Sequence, residues 1–230
     1  MNYRYSIFLL TLVLVSCTPL RQLKTIDSDL PQLGAVGYFE NGMFSKGFRS
    51  VGKPRLQHPI RLSLKYRAFT TATYQAYTKV MDTTANQGEV PIGYYHLEIE
   101  DVIGLRETLN TPSNASLLAY LRDAPEIRML TAMDFVPSSE SSTQFAQAEY
   151  VQLMEIDGGL VLGIPSDEGL LAVSIRQLQP FDYGTSGFCW KDNGKGRTAI
   201  ALLRPNGHGC PKGTVKKAYK LEERRNSLKF

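Results

Sequence analysis

His96, Glu98 and Glu100 alternate along one stretch, so on a strand all three would share a face. An imidazole and two carboxylates on one face could hold an ion or flank a glycosidic bond, if burial tuned the carboxyl groups apart. The plain alternative is a solvated sheet face, which the same periodicity favours. Cys189 and His208 could pair as thiolate and imidazole for acyl transfer. A bond from Cys189 to Cys210 would consume that thiol and leave His208 as a polar residue of the Asn206-Gly207-His208-Gly209 turn. Zinc on Cys189, His208 and Cys210 is disfavoured, because no C-x-x-C spacing and no fourth ligand are evident. No metal or cofactor is expected.

Two further motifs fail on their own terms. Gly42 to Gly47 has the glycine spacing of a phosphate loop, but Phe48 and Arg49 stand where Lys and Ser/Thr are needed. Gly184-Thr185-Ser186-Gly187 lacks the G-x-S-x-G spacing of a nucleophile elbow. Phe181, Tyr183, Phe188 and the only tryptophan, Trp190, crowd a Gly-containing segment beside Cys189. On a loop these rings could stack on a sugar or peptide; packed inward they would close a core. Asn114-Ala115-Ser116 fits a glycosylation sequon but falls on an expected helix.

The N-terminus carries a stronger signal. Arg4 is the only charge before Cys17, and an apolar run from Ile7 to Val15 is broken only by Thr11. That run is too short to span a bilayer and fits the apolar region of a signal peptide. It ends Leu14-Val15-Ser16-Cys17, which resembles the lipobox of bacterial lipoproteins, although Val15 is bulkier than usual. The resemblance covers residues 1–17 only. It implies removal of a signal peptide (1–16), lipidation of Cys17 and a chain moored to the cell envelope, with Thr18 pointing towards the outer membrane. Residues 17–33 then read as the lipidated Cys and a flexible tether.

That address sets the remaining expectations. Outside the cytosol, the two thiols left over, Cys189 and Cys210, are expected to form a disulfide. Nucleic acid is not an expected partner; the membrane and other envelope proteins are. Composition is that of an ordinary globular chain, 43% hydrophobic and 21% charged, which excludes a disordered or low-complexity body. No later segment is apolar enough to span a membrane. Charge is uneven: residues 121–190 hold three Lys/Arg against ten Asp/Glu, and residues 191–230 eleven against three. The basic tail could meet an anionic surface or partner, or fold over the acidic face of its own domain.

The elements that must position these residues read as mainly β. Strands are expected within 34–54, with Asn41-Gly42 as a hairpin corner. A long alternation runs from Ile60 and continues to Tyr77, and further strands are expected at 91–99 and 127–135. One with Ala146, Ala148, Tyr150, Met154 and Ile156 on one face precedes the Asp157-Gly158-Gly159 turn, and others follow at 160–164, 169–178 and 197–203. Asn86-Gln87-Gly88 breaks the chain, and Ser138 to Thr143 reads as a polar loop. Thr111-Pro112 opens a helix that stops before Pro125. Residues 101–109 are ambiguous, since Val102, Leu105 and Leu109 form a helical stripe that Gly104 weakens. Short turns between strands favour antiparallel pairing, hence a sandwich or partly closed barrel with one or two short helices over 34–213. Residues 214–230 form a basic tail or short helix. The expected role is a non-enzymatic binding or scaffolding module on a lipid anchor. A glycan or peptide binder using 181–190, or an envelope hydrolase using the His96 face, are the alternatives.

Overall fold

The computed structural model describes residues 31–39, 48–81, 91–166, 169–175, 178–194 and 197–227. Cys17, most of the tether, the Asn41-Gly42 corner, the Gly42 to Gly47 motif and the Asn86-Gln87-Gly88 break lie outside them. Of the described residues 45% are strand and 28% helical, built on one antiparallel sheet of ten strands that does not close. The strands are β1 (Val36–Phe39), β2 (Phe48–Gly52), β3 (Ile60–Ala68), β4 (Gly93–Ile99), β5 (Arg128–Val136), β6 (Val151–Ile156), β7 (Gly159–Ser166), β8 (Gly169–Ser174), β9 (Gln179–Asp192) and β10 (Thr198–Pro205). Their order is β10-β9-β5-β4-β3-β6-β7-β8, with β1 beside β5 and β2 beside β1. The mainly β, antiparallel expectation holds, as a single open sheet.

Among the described residues five helices accompany the sheet: α1 (Thr71–Met81), α2 (Val102–Leu109), α3 (Ala115–Asp123), α4 (Ser139–Gln147) and α5 (Tyr219–Ser227). Two of these, α1 and α4, correct the reading of the sequence, and α2 resolves an ambiguous stretch. The alternation from Ile60 stops at Ala68, and residues 71–81 form α1 rather than more strand. Thr70 and Thr73 explain the switch. The Thr73 amide donates to Thr70 Oγ1 at 3.2 Å, and the Thr70 amide donates to Thr73 Oγ1 at 2.8 Å. That reciprocal pair satisfies amides that a helix start would leave orphaned, and it outweighs the strand preference of Thr and Tyr. Residues 102–109 are helical because Gly104 is part of the cap. Asp101 Oδ1 accepts from its amide at 2.8 Å, and a Cβ there would sit 2.2 Å from Asp101 Oδ2. Residues 139–147 form α4 in place of a polar loop and the start of a strand. The strand after it begins at Val151 and buries Val151 and Leu153, so the expected inward set of Tyr150, Met154 and Ile156 is on the wrong parity. A 3-10 turn at Pro112–Asn114 precedes α3, and Thr111 Oγ1 bonds back to the Thr108 carbonyl at 2.6 Å instead of capping forward.

One face of the sheet carries the main core. Leu62, Leu97, Ile99, Met129, Met133, Phe135, Leu153, Leu162, Phe188, Trp190 and Ile200 are buried there. Leu105 and Leu109 of α2, Leu121 of α3, Phe145 of α4 and Leu221 of α5 join the same cluster. The helices cover this face because each buries one apolar stripe against it. On the other face Tyr94, Val136 and Phe181 form a small second cluster under Phe69 and the α1 residues Ala76, Tyr77 and Val80. The β7 turn follows its sequence, with Asp157 at φ 50° and Gly158 at φ 72°, the left-handed pair that a two-residue hairpin needs. Edge strand β10 is sealed by Asn110. Its side-chain carbonyl accepts from the Ile200 amide and its NH₂ donates to the Ile200 carbonyl, both at 2.9 Å. A side-chain amide thus stands in for a missing strand.

Candidate functional site

The sheet face opposite the main core collects the ionisable residues. In register across four strands, Lys65 of β3 faces His96 of β4, His96 faces Asp134 of β5, and Asp134 faces Asp182 of β9. Even-numbered positions on β4 and β5 point this way while their odd neighbours enter the core. His96 Nδ1 lies 2.5 Å from Asp134 Oδ1, and His96 Nε2 lies 3.6 Å from Glu98 Oε2. The His96 and Asp134 side chains are only 17% and 13% exposed, so their contact is shielded from salt. Partial desolvation, then the neighbouring Asp134 carboxylate, hold the Asp182 carboxyl above its ordinary range, although the Tyr183 amide and His96 oppose this.

The expected trio therefore divides. His96 and Glu98 meet, but Glu100 pairs with Arg61 Nε at 3.1 Å, away from the imidazole. Both ring nitrogens of His96 face carboxylates, so the ring sits at the centre of the polar row. Asp134 and Asp182 are the members that sequence reasoning missed. The signal for Asp134 was present: it occupies the polar parity of a strand whose apolar alternation was plain. Among the described residues no group of three or more His, Cys, Asp or Glu could hold a metal ion.

The aromatic segment is not a loop. Phe181, Tyr183, Phe188 and Trp190 all lie within β9, and Phe181, Phe188 and Trp190 are buried at 4%, 6% and 1% exposure. Phe188 and Trp190 join the main core, while Phe181 packs with Phe69, Tyr77 and Tyr94. The Tyr183 hydroxyl is buried without a hydrogen bond, and burial raises its pKa. None of the three buried rings offers a face to a sugar, so the stacking role proposed for 181–190 gives way to core packing. The expected disulfide is present: Cys189 is bonded to Cys210, with Cα atoms 5.7 Å apart. That bond removes the Cys189–His208 pair and the zinc set. His208 is exposed, with Nδ1 3.2 Å from the Asn206 carbonyl oxygen. Gly184 to Gly187 lies inside β9, not at a strand-to-helix elbow. Asn114 is 2% exposed, and its amide bonds to the Arg55 backbone and the Thr108 carbonyl, so it is no glycan acceptor.

Among the described residues, two surface clefts stand out. One, of about 490 Å³, lies between Asn110, Pro112, Leu118, Arg122, Thr198 and Arg225. The Thr198 hydroxyl is buried without a partner. Arg122 and Arg225 both reach Glu222 there, at 3.8 and 3.9 Å. The other, of about 470 Å³, is a shallow groove lined by Tyr66, Pro91, Ile92, Tyr95 and Pro137. Tyr66 and Tyr95 meet edge to face at 5.3 Å, and Tyr66 is 60% exposed. Comparison with family models, curated proteins and solved structures finds no match.

Proposed function

We propose that this chain is a lipid-anchored protein of the bacterial cell envelope, working as a non-enzymatic binding or scaffolding module, with Cys17 as its anchor and envelope proteins as its partners. The observation that carries the reading is the charge, apolar run and Leu14-Val15-Ser16-Cys17 ending of the first seventeen residues. The Cys189–Cys210 bond supports it, because such bonds persist in oxidising compartments outside the cytosol. Two acyl chains hold a protein to a bilayer stably at about 0.8 kcal/mol per buried CH₂. Confinement to the surface then raises its effective concentration near membrane partners.

The polar row argues against hydrolysis. The hydrolase reading needs Glu98 and Glu100 as a working carboxylate pair, and Glu100 is held by Arg61 at 3.1 Å instead. The glycan-binding alternative moves from β9 to the Tyr66–Tyr95 groove, where the exposed Tyr66 ring meets the half-buried Tyr95 ring edge to face. Crosslinking in cells tests the main reading. The wild-type chain should capture envelope proteins that a Cys17→Ser form, expressed to the same level, captures far less. Equal capture by both forms would contradict it.

A further inference from the structure

Among the described residues, two arginines on the same polar face form no salt bridge. Arg204 of β10 and Arg128 of β5 flank Gly187 of β9, which pairs with Arg204 in the sheet. Arg204 Nη2 lies 3.2 Å and Arg128 Nη1 3.3 Å from the position a Cβ would take at Gly187. The bare glycine is what lets both guanidinium groups converge there. Arg204 is 9% exposed, and its Nε is buried without a hydrogen bond. Arg128 is half-buried and forms the open side of the pair.

Among the described residues their hydrogen bonds go only to backbone carbonyls. Arg128 Nη1 donates to Pro125 and Ile127 at 3.2 and 3.1 Å, and Arg204 Nη1 donates to His208. Those bonds fix both side chains without neutralising either. Burial first, and Arg204 second, push the Arg128 pKa below its ordinary value, with Glu126 opposing from the side. Two converging, poorly solvated positive charges are costly unless an anion joins them.

We propose that Arg128 and Arg204 form a phosphate-binding site, which receives a tetrahedral oxyanion on the solvent side of the two guanidinium groups that cover Gly187. A phosphomonoester carries about −1.5 to −2 charges near pH 7 and three acceptor oxygens, matching two cations with free N–H groups. A carboxylate has two oxygens and one charge, which one fork already satisfies. The phosphate could belong to a small phosphate ester or to a lipid headgroup of the bilayer that holds the chain. This deepens the binding-module reading and rests on it for the lipid source alone.

The test is titration of the full chain, in phosphatidylcholine nanodiscs, with inorganic phosphate by calorimetry. The site predicts saturable binding of one phosphate per chain, weakened about tenfold or more in Arg128→Gln, with acetate at least about tenfold weaker than phosphate. Discs containing phosphatidic acid separate the sources. A headgroup in the site would abolish the phosphate titration, whereas a site for small esters would titrate unchanged. Arg204 is buried, so Arg204→Gln is not relied on. Gly187→Ala serves as the second variant, keeping both charges while its methyl displaces them, and it should also weaken binding. No saturable heat, equal affinity in Arg128→Gln and Gly187→Ala, or acetate binding as tightly as phosphate would overturn the proposal. That failure would leave anchorage untouched, since fatty-acid labelling reads anchorage separately.

Discussion

Replacing Cys210 by Ala should destabilise the body by about 3 kcal/mol. The Cys189–Cys210 bond spans a sequence separation of 21. For a loop of that size the chain-entropy relation gives about 11 cal/mol/K, or about 3 kcal/mol at 25 °C, lost from the constraint on the unfolded chain. Cys210 is the side to change, because Cys189 is fully buried and Cys210 is half-exposed, so truncation there leaves little cavity. The folded loop should survive the loss. Trp190 and Val215 exchange backbone hydrogen bonds of 2.8 and 2.9 Å, and Arg204 holds the His208 carbonyl. The effect should therefore act through the unfolded state. In a chain of this size it corresponds to a fall in Tm of about 6–12 °C. Trp190, the only tryptophan and 1% exposed, reports unfolding directly in urea titrations of the variant and reduced wild type under reductant and of oxidised wild type without it. The Cys210→Ala midpoint should match that of reduced wild type and fall below oxidised wild type. Coincidence of the variant with oxidised wild type would refute the reasoning.

Two carboxylates should show pH effects of opposite sign. Asp182 is held above its ordinary range in the folded chain, so its ionisation costs stability at pH 7 and nothing once pH is below the unfolded value. Asp182→Asn should raise the urea midpoint at pH 7, and the gain should vanish at about pH 3. For Glu155 burial alone would raise the pKa, but the Leu56 amide and Arg55 guanidinium outweigh it and hold the carboxyl below its ordinary range. Its contribution is present above the unfolded value and lost as pH falls through the folded one, so Glu155→Gln should lower the midpoint at pH 7 and less so in acid. Phe135→Ala should cost about 3–5 kcal/mol in the same titration, since the ring is fully buried against Phe145 at 5.0 Å and Tyr95 at 5.8 Å. Asn114→Ala should cost about 1–3 kcal/mol by leaving the Arg55 backbone groups unpaired.

Strand parity was legible wherever apolar residues alternated against charged ones. β4 reads correctly because Leu97 and Ile99 enter the core while His96 and Glu98 do not. The pattern misled where residue preference and local bonding disagree. α1 is rich in Thr and Tyr, and only the Thr70–Thr73 hydrogen bonds mark it as a helix. β9 hid behind its glycines, because a Gly-containing segment reads as a loop, whereas Gly184 and Gly187 serve as close contacts with Ala132 and the two arginines. The disulfide was readable from cysteine count and compartment. The polar row was half readable: His96 and Glu98 are near in sequence, but the sheet sets His96 beside Asp134 and Asp134 beside Asp182, and strand order is not written in any one strand. The arginine pair spans three strands and could not be assembled without that order.

Mass spectrometry of the N-terminal peptide, from chain purified out of bacterial membranes, bears most directly on whether this body is an envelope-tethered module. The peptide should begin at Cys17 and carry the mass of a diacylglyceryl group and an amide-linked acyl chain. A peptide that begins elsewhere, or one that begins at Cys17 with an unmodified thiol, would contradict it.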